Sequence, residues 1–164
     1  MAKKNIKDEN KKVRLTNRKA RRDYIILDTF EAGIELRGTE VKSLREGRGN
    51  LNDSYATVEK GEVFVHQFNI TPYTHGNRFN HEPDRVRKLL LHKYEILKLA
   101  QQVDQKGFTI VPLQLYFNNR NRAKMEIAVA KGKFLYDKRE DIKKRTQQRE
   151  LQREFRNKGL QRFV

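Results

Sequence analysis

Several short stretches in the middle of the chain alternate hydrophobic with polar residues, which is the pattern of β-strands. Tyr24–Leu36 has apolar side chains on both faces of an extended segment, and Ala32–Gly33 marks a bend or bulge. Tyr55–Val58 and Val63–His66 flank a tight turn that contains Gly61, where a positive φ costs little. This pattern predicts a bent strand followed by an antiparallel hairpin.

Two longer strands and one helix are predicted further along. Phe108–Phe117 and Ala123–Ala130 alternate inward apolar with outward polar positions, and Pro112 is expected on an edge where no backbone donor is required. A helix is predicted to open at Leu89 and to run to about Lys106. The positions expected to face inward are Val111, Leu113, Leu115 and Phe117 on the first strand, Met125, Ile127 and Val129 on the second, and Tyr94, Leu97, Ala100 and Val103 on the helix. Five or six short strands with one long helix favour an α+β protein, mainly β, with a small and strongly curved sheet or barrel.

The stretch Arg37–Tyr55 joins the first strand to the hairpin. Thr39 is expected to cap a short helix whose apolar side is Val41 and Leu44. Gly47 would supply the left-handed exit from this helix. The glycine-bearing loop that follows is interpreted as a connector between strands, and the alternative is a place where a phosphate backbone approaches closely.

Residues 67–88 contain prolines, a glycine and several asparagines, and they are predicted to form a long loop. Loops of this length are often functional. Four cations in this stretch are therefore of interest: Arg78, Arg85, Arg87 and Lys88.

The charge of the chain lies at its two ends. The 164 residues carry a net charge of +16. Residues 1–22 hold ten Lys or Arg against two acids, residues 131–164 hold twelve against five, and residues 23–130 hold fifteen against fourteen. A nearly neutral body with two cationic extensions is expected of a protein whose arms follow a polyanion while its body makes shape-specific contacts. The alternative is that the ends are merely solvated.

This distribution predicts three parts: a flexible basic arm (1–16), a barrel domain (17–130) and a basic tail (131–164). At the start of the domain the run Asn17, Arg18, Lys19, Arg21 and Arg22 leads straight into a strand and is a candidate RNA contact. The tail has high helix propensity but too few apolar residues for a regular stripe. It is expected to be disordered alone and helical on a polyanionic partner.

Composition also bears on which functions are excluded. The chain has no cysteine, no apolar run of membrane-spanning length and no apolar signal core at its start, so a soluble cytoplasmic protein is expected. An RNA-cleaving enzyme would have to draw on His66, His75, His81 and His92 with Glu82 or Asp84, and these show no paired ligand spacing. No enzyme activity, cofactor or metal is therefore expected. A general RNA chaperone or ribosome-associated basic protein remains an alternative.

Eight short motifs stand in one order along the chain. They are Asn17–Tyr24, Phe30–Leu36, Gly38–Arg45, Asn52–Tyr55, Asn69–Tyr73, Arg87–His92, Val129–Lys133 and Tyr136–Arg139. With these motifs the chain resembles the SmpB family of SsrA-binding proteins, from about residue 14 into the tail.

The resemblance implies an oligonucleotide-binding (OB) fold barrel with added helices, without enzymatic activity. It implies a cytoplasmic role in bacterial trans-translation, in which transfer-messenger RNA is carried to ribosomes stalled on broken messages. The implied partners are this RNA and the ribosome, including small-subunit RNA, the decoding centre and the messenger channel. Elongation factor Tu and alanyl-tRNA synthetase would be reached through the RNA, and no membrane is involved.

The resemblance also implies which residues act. Beside the basic run, the RNA-recognition surface would fall on Tyr24, Glu31, Lys42, Asn50, Leu90, His92, Lys124, Lys131 and Lys133. His92 stands where relatives often have asparagine, so aromatic stacking would replace a polar contact there. The residues that would meet the decoding centre and messenger channel are Tyr136, Asp137, Lys138, Arg139, Lys143, Lys144 and Arg145.

Overall fold

The computed structural model describes residues 13–76, 80–104, 107–133, 142–144 and 146–153. The chain divides into two compact units, Met1–Gly132 and Lys133–Val164. The elements of the first unit, in order, are β1 (Arg14–Thr16), α1 (Arg18–Asp23), β2 (Tyr24–Ile34), α2 (Gly38–Arg45), β3 (Gly49–Asn50), β4 (Tyr55–Glu59), β5 (Glu62–His66), β6 (Asn69–Ile70), β7 (Arg87–Leu90), α3 (Lys93–Val103), β8 (Phe108–Phe117) and β9 (Ala123–Gly132).

Six strands close into an antiparallel barrel. The pairing order is β8, β4, β5, β7, β2 and β9, and β9 pairs again with β8, so the ring is complete. Strand β1 pairs with β8 at Gln114–Tyr116, further along the strand than the position where β4 pairs with β8 at Ile110. Closure removes the long unpaired edges of an open sheet. This architecture confirms the predicted α+β, mainly β class with a curved barrel and added helices.

The predicted hairpin is confirmed, and its turn has the expected backbone. Strands β4 and β5 pair from Tyr55–His66 to Glu59–Glu62. Lys60 and Gly61 have φ values of 51° and 76°, the left-handed pair of a type I′ turn. The left-handed exit of α2 at Gly47 is also confirmed, with φ at 76°.

Two β-bulges change which side chains face the barrel interior. The register shifts at Leu113 on β8 and at Leu27 on β2, and both shifts are opposite the regular strand β9. Because the side-chain period of a strand is two, one extra residue moves the following positions to the other face. Leu115 therefore faces the barrel core, whereas Val111 and Leu113 face outward. The prediction of a single inward face from Val111 to Phe117 was wrong. A bend or bulge was predicted at Ala32–Gly33, and no bulge forms there, because both residues pair with β9 in regular register.

Helix α1 covers apolar side chains that face outward from β8 and β9. Ala20 packs on Val111 and Leu113 of β8 and on two alanines of β9, with Tyr24 and Ile26 at the margin. This second, smaller core holds α1 against the barrel wall. The residues predicted to face the main core on β9, namely Met125, Ile127 and Val129, are fully buried there.

The helix predicted from Leu89 begins later. Leu89 and Leu90 belong to β7 and pair with Ile34 and Gly33 of β2. The helix starts at Lys93, and residues 105–106 lie outside the described ranges. A run of three leucines fits a strand as well as a helix, and only pairing decides between them. The apolar side of α3 was predicted correctly only in part: Val103 packs against the core, but Tyr94 and Leu97 are exposed and Leu99 is buried instead.

The loop cations Arg85 and Arg87 hold the fold together. Both arginines bind the carboxylate of Glu40 on α2: Arg85 donates from Nε at 2.7 Å and Arg87 from Nε at 3.0 Å. Arg87 is 1% exposed and also donates to the carbonyls of Phe68 and Pro83. Glu40 accepts a further bond from the Arg37 backbone, so Glu40, not Thr39 as predicted, closes the start of α2.

The remaining two loop cations differ. Lys88 on β7 pairs with Glu62 of β5, and Arg78 lies outside the described residues. Residues 67–88 were predicted to be mostly a long loop with cations of functional interest, but Arg85 and Arg87 pair with Glu40 inside the fold. Part of this segment is strand, since β6 and β7 fall within it.

The boundaries of the predicted arm and tail also shift. Arg14–Thr16 was assigned to a flexible arm but forms strand β1, and β9 continues to Gly132. In the second unit residues 142–144 and 146–153 are helical, with Ile142 and Leu151 half-exposed. That this helix forms only on a partner stays a prediction. Among the described helices, none is long and apolar enough to cross a membrane.

Candidate nucleic-acid interface

The first residue of the basic run is part of the fold rather than of its surface. Asn17 is 3% exposed. Its side chain accepts from the Ala20 backbone at the start of α1 and donates to the carbonyls of Leu51 and Pro112 at 2.9 and 3.0 Å. Pro112 pairs with Ile127 of β9 and lies between the β8 residues that pair with β4 and those that pair with β1, and its place on an edge without a required donor stays a prediction. The prediction that Asn17 contacts RNA is therefore corrected.

The four cations of α1 are exposed but not equivalent. Lys19 forms an ion pair with Asp53, and Nε of Arg22 lies 3.0 Å from Asp23. Arg18 and Arg21 project from the same short helix. A phosphate therefore competes with a carboxylate for two of these cations, and Arg18 and Arg21 are the better electrostatic contacts.

Tyr24 connects this helix to the barrel. It ends α1, begins β2 and pairs with Gly132 of β9, and it is half-buried against the core under α1. Lys131, one position earlier on β9, is exposed. Tyr24 and Lys131 therefore lie at the same end of the β2–β9 ladder, and Arg22 on α1 is two residues before Tyr24. Lys133, which opens the second unit, is half-buried.

A row across three strands brings together the residues that sequence reasoning left apart. Gly33 of β2 pairs on one side with Leu90 of β7 and on the other with Lys124 of β9. A Cβ added at Gly33 would lie 3.2 Å from the Cβ of Leu90, so glycine permits this close approach. Leu90 is 53% exposed although it is a leucine in a strand. The row forms part of a groove of about 410 Å³ that Phe117, Asn121 and Arg122 also line.

Glu31 lies two residues before Gly33 and faces the outside of the barrel. Its Oε1 is 3.2 Å from Nζ of Lys124, and its Oε2 accepts from the hydroxyl of Tyr116. These two donors, Tyr116 above all, hold the pKa of the Glu31 carboxyl below its ordinary value. Glu31 is thus an ionised acceptor beside a cation, within a groove of about 670 Å³.

His92 presents an aromatic surface beside this row. It is the residue that precedes α3, and its backbone N–H donates to Glu95 at 2.9 Å, as in a capping box. Its ring stacks on Tyr94, with centroids 5.8 Å apart and an angle of 11° between the planes. Tyr94 is 69% exposed, so the pair offers a flat face to solvent.

Two predicted residues lie on other elements. Lys42 projects from α2 with its ammonium 5.6 Å from the centre of the Tyr73 ring. Asn50 is exposed on β3, where its side chain accepts from the backbone of Asn52. The glycine beside it, Gly49, is packed against Leu15 and Leu44, so its close approach serves the core and not a phosphate.

The tail predictions are only partly within the described residues. Lys143 and Lys144 are exposed on the helical residues 142–144. The other predicted tail residues, namely Tyr136, Asp137, Lys138, Arg139 and Arg145, lie outside the described ranges.

Sequence reasoning missed Tyr116, Arg122 and Gly33. Tyr116 occupies an outward position of β8, and its alternation with Leu115 was a usable signal. A glycine inside a strand indicates a close approach, which could have marked Gly33. For the alternative enzyme hypothesis, no group of three or more His, Asp or Glu in the described part of the chain is arranged to hold a metal.

A closed antiparallel barrel that joins exposed cations, an exposed aromatic pair and an oriented carboxylate defines a nucleic-acid-binding protein of the mainly-β class. The family model described as SmpB protein matches residues 14–157. The SsrA-binding protein of Moorella thermoacetica is 58% identical over 147 residues, which cover 90% of this chain and 95% of the relative. The SsrA-binding protein of Geobacillus thermodenitrificans is 57% identical, with 90% and 94% covered. The chain belongs to the SmpB family.

A solved structure supports the same relationship. A chain of "tmRNA-SmpB: a journey to the center of the bacterial ribosome" is 50% identical to this chain, with a TM-score of 0.65. The match covers 75% of this chain and 86% of that one. The barrel described above is therefore the barrel of this family.

Proposed function

We propose that this protein binds the tRNA-like domain of transfer-messenger RNA and delivers it to stalled ribosomes for trans-translation, which rescues the ribosome and tags the unfinished peptide. The observation that carries the proposal is family membership over residues 14–157, with relatives that are SsrA-binding proteins. The solved tmRNA–SmpB structure supports the RNA and the ribosome as partners. The protein acts in the cytoplasm by binding and delivery, without a catalytic step of its own.

The barrel supplies the shape-specific contact. One row across three strands holds Leu90, Gly33 and Lys124. The Glu31 carboxylate lies next to this row and pairs with Lys124. A leucine exposed beside a lysine suits an unstacked base and its phosphate, because sequence-specific RNA recognition targets splayed-out bases. His92, stacked on Tyr94, adds an aromatic face for a further base.

The cations of α1 supply the electrostatic contact. Arg18 and Arg21 are exposed on a helix that Ala20 anchors to the barrel wall, so they are held in place rather than carried on a loose arm. Fixed cations lose less conformational entropy on meeting a phosphate. Lys131 lies at the same end of the barrel as Tyr24 and extends this electrostatic contact with the RNA. A separate RNA contact is formed by Lys42 on α2 and Asn50 on β3.

The residues after Gly132 act on the ribosome. In this proposal Tyr136, Asp137, Lys138 and Arg139 read the decoding centre, and the helix-prone segment that follows occupies the empty messenger channel. Lys143, Lys144 and Arg145 would meet channel phosphates there. The side chains of residues 142–144 and 146–153 are exposed, and they include the apolar Ile142 and Leu151. This exposure supports binding of the segment to a partner.

Competition binding tests the RNA partner. Labelled transfer-messenger RNA is bound to the protein and displaced with unlabelled transfer-messenger RNA or with an unstructured RNA of equal length. A preference of at least about tenfold for the structured RNA is expected, which is a free-energy difference of about 1.4 kcal/mol. Equal displacement would instead indicate a general RNA chaperone. A peptide-tagging assay on ribosomes stalled at the end of a truncated message then tests delivery.

A further inference from the structure

The outer wall of the barrel carries two carboxylates opposite each other. Glu31 of β2 pairs in register with Glu126 of β9. Like charges directly opposite on neighbouring strands repel each other. Each carboxylate is held by its own donor: Gln114 donates to Oε2 of Glu126, and the Tyr116 hydroxyl donates to Oε2 of Glu31. Arg14 of β1 donates in turn to Gln114 at 2.7 Å, which completes one chain of bonds across β1, β8 and β9.

Glu31 is the more oriented and the more accessible of the pair. Tyr116 contacts one carboxylate oxygen, and Lys124 lies 3.2 Å from the other. The Glu31 side chain is still 53% exposed. An ionised carboxylate has about four acceptor positions, so two bonds leave capacity on the solvent side.

We propose that Tyr116 is a positioning residue of the RNA surface, whose hydroxyl holds Glu31 so that its carboxylate accepts hydrogen bonds from the N–H edge of an unpaired base. The inference rests on the proposed function, because it names a role within that RNA contact. A carboxylate repels phosphate but accepts N–H donors, and unpaired bases present such donors on their Watson–Crick edges. Tyr116 acts through Glu31 and need not touch the RNA.

The protonation states fit this role. The hydrogen bond from the Tyr116 hydroxyl to the Glu31 carboxylate is the largest influence on the pKa of each group. It holds the pKa of Glu31 below its ordinary value and raises the pKa of Tyr116 to about 12. At neutral pH Glu31 is therefore a pure acceptor and Tyr116 keeps its proton as a donor. The other charged groups that face this site are Lys124, Glu126 and Arg14.

A double-mutant cycle in the full-length protein tests the proposal. The variants are Tyr116→Phe, Glu31→Gln and the double variant, and Tyr55→Phe on β4 is the matched control. Affinity for transfer-messenger RNA is measured at several salt concentrations. We expect Tyr116→Phe to weaken binding roughly tenfold, the size of a hydrogen bond to a charged group. The double variant should be no weaker than Glu31→Gln alone, because Tyr116 acts only through Glu31.

Two further readouts separate positioning from a structural role. The salt slope should stay unchanged in Tyr116→Phe, because a base contact releases no counterions. On acidification, Tyr116→Phe should lose affinity at a higher pH than the wild type, because the pKa of Glu31 rises toward its ordinary value when the hydroxyl is removed. Thermal unfolding at neutral pH should match that of Tyr55→Phe within a few degrees.

Three results would overturn the proposal: additive losses in the cycle, an affinity of Tyr116→Phe within twofold of wild type, or a reduced salt slope. Additive losses would mean that Tyr116 contacts RNA independently or supports the fold. A wild-type protein that does not prefer transfer-messenger RNA over unstructured RNA would refute the proposed function itself. That result concerns the unsubstituted chain, so the two failures are distinguishable.

Discussion

The carboxylate of Glu40 should be among the most sensitive positions for stability, although Glu40 is not itself a proposed RNA contact. It accepts from Arg85, from Arg87 and from the Arg37 backbone, and its side chain is 5% exposed. Breaking a buried pair by removing one partner commonly costs about 3 to 5 kcal/mol, because the other charge stays buried without compensation. Glu40→Ala leaves the fully buried side chain of Arg87 without its compensating carboxylate.

The expected result is a large loss of stability measured by urea and thermal unfolding. For a chain of this size, about 3 to 5 kcal/mol corresponds to a fall in Tm of roughly 6 to 20 °C. Glu40→Gln keeps the shape and one acceptor oxygen, so we expect an intermediate loss. Glu46→Ala is the matched control, because Glu46 ends the same helix and pairs with Arg48 at 3.2 Å on the surface, where such pairs contribute at most about 1 kcal/mol. Equal losses in Glu40→Ala and Glu46→Ala would refute the reasoning.

The same site predicts a pH dependence with a definite sign. Burial alone would raise the pKa of Glu40, but hydrogen bonds from Arg85, the Arg37 backbone and Arg87 hold that pKa below its ordinary value. A depressed folded-state pKa contributes stability that is complete above the unfolded-state pKa, near ~4.3, and is lost as pH falls through the folded value. The stability gap between wild type and Glu40→Gln should therefore narrow on acidification below about pH 4. A constant gap would show that the carboxylate charge contributes nothing.

The remaining predictions concern the RNA and the ribosome. Replacing Arg18 and Arg21 together by alanine should lower the slope of log affinity against log salt by roughly 1.8, or about 0.9 for each phosphate contact; an unchanged slope would contradict the electrostatic role of α1. Gly33→Ala should weaken transfer-messenger RNA binding severalfold while the chain still folds, because the new methyl group displaces the exposed leucine of β7; circular dichroism supplies the folding control. Truncation after Lys133 should leave affinity for the RNA within a fewfold of wild type yet abolish peptide tagging on stalled ribosomes. Gln148→Pro should reproduce much of that tagging defect by breaking the helix, and a harmless Gln148→Pro would mean that the tail acts only through its charge.

The sequence alone determined the family, the charge distribution and the elements that depend on near neighbours. The hairpin at Lys60–Gly61 and the exit at Gly47 follow from local backbone preferences, and the structure confirms both. The strand Phe108–Phe117 was found at its correct bounds from alternation alone. These features need no knowledge of what lies opposite, because a turn residue or a period of two acts within a few positions.

Only the tertiary structure decided what lies across from each residue. The bulges at Leu27 and Leu113 arise from pairing with β9, and they reverse which face of a strand is buried. Leu89 is in a strand because β2 and β5 pair with it, although its neighbours permit a helix. Each of these outcomes depends on a partner distant in the chain, and the preference of a residue for its own conformation is too weak to override such a partner.

The candidate site divides in the same way. Resemblance identified Glu31, Leu90 and Lys124. Leu90 and Lys124 share one row because Gly33 pairs with both β7 and β9, and Glu31 lies two residues before Gly33. Cations that the sequence does not distinguish differ in their exposure in the structure: Arg87 is buried against Glu40, whereas Arg18 is exposed on α1. How available a charged side chain is to RNA depends on its burial and on the carboxylates near it, and composition does not encode this three-dimensional proximity.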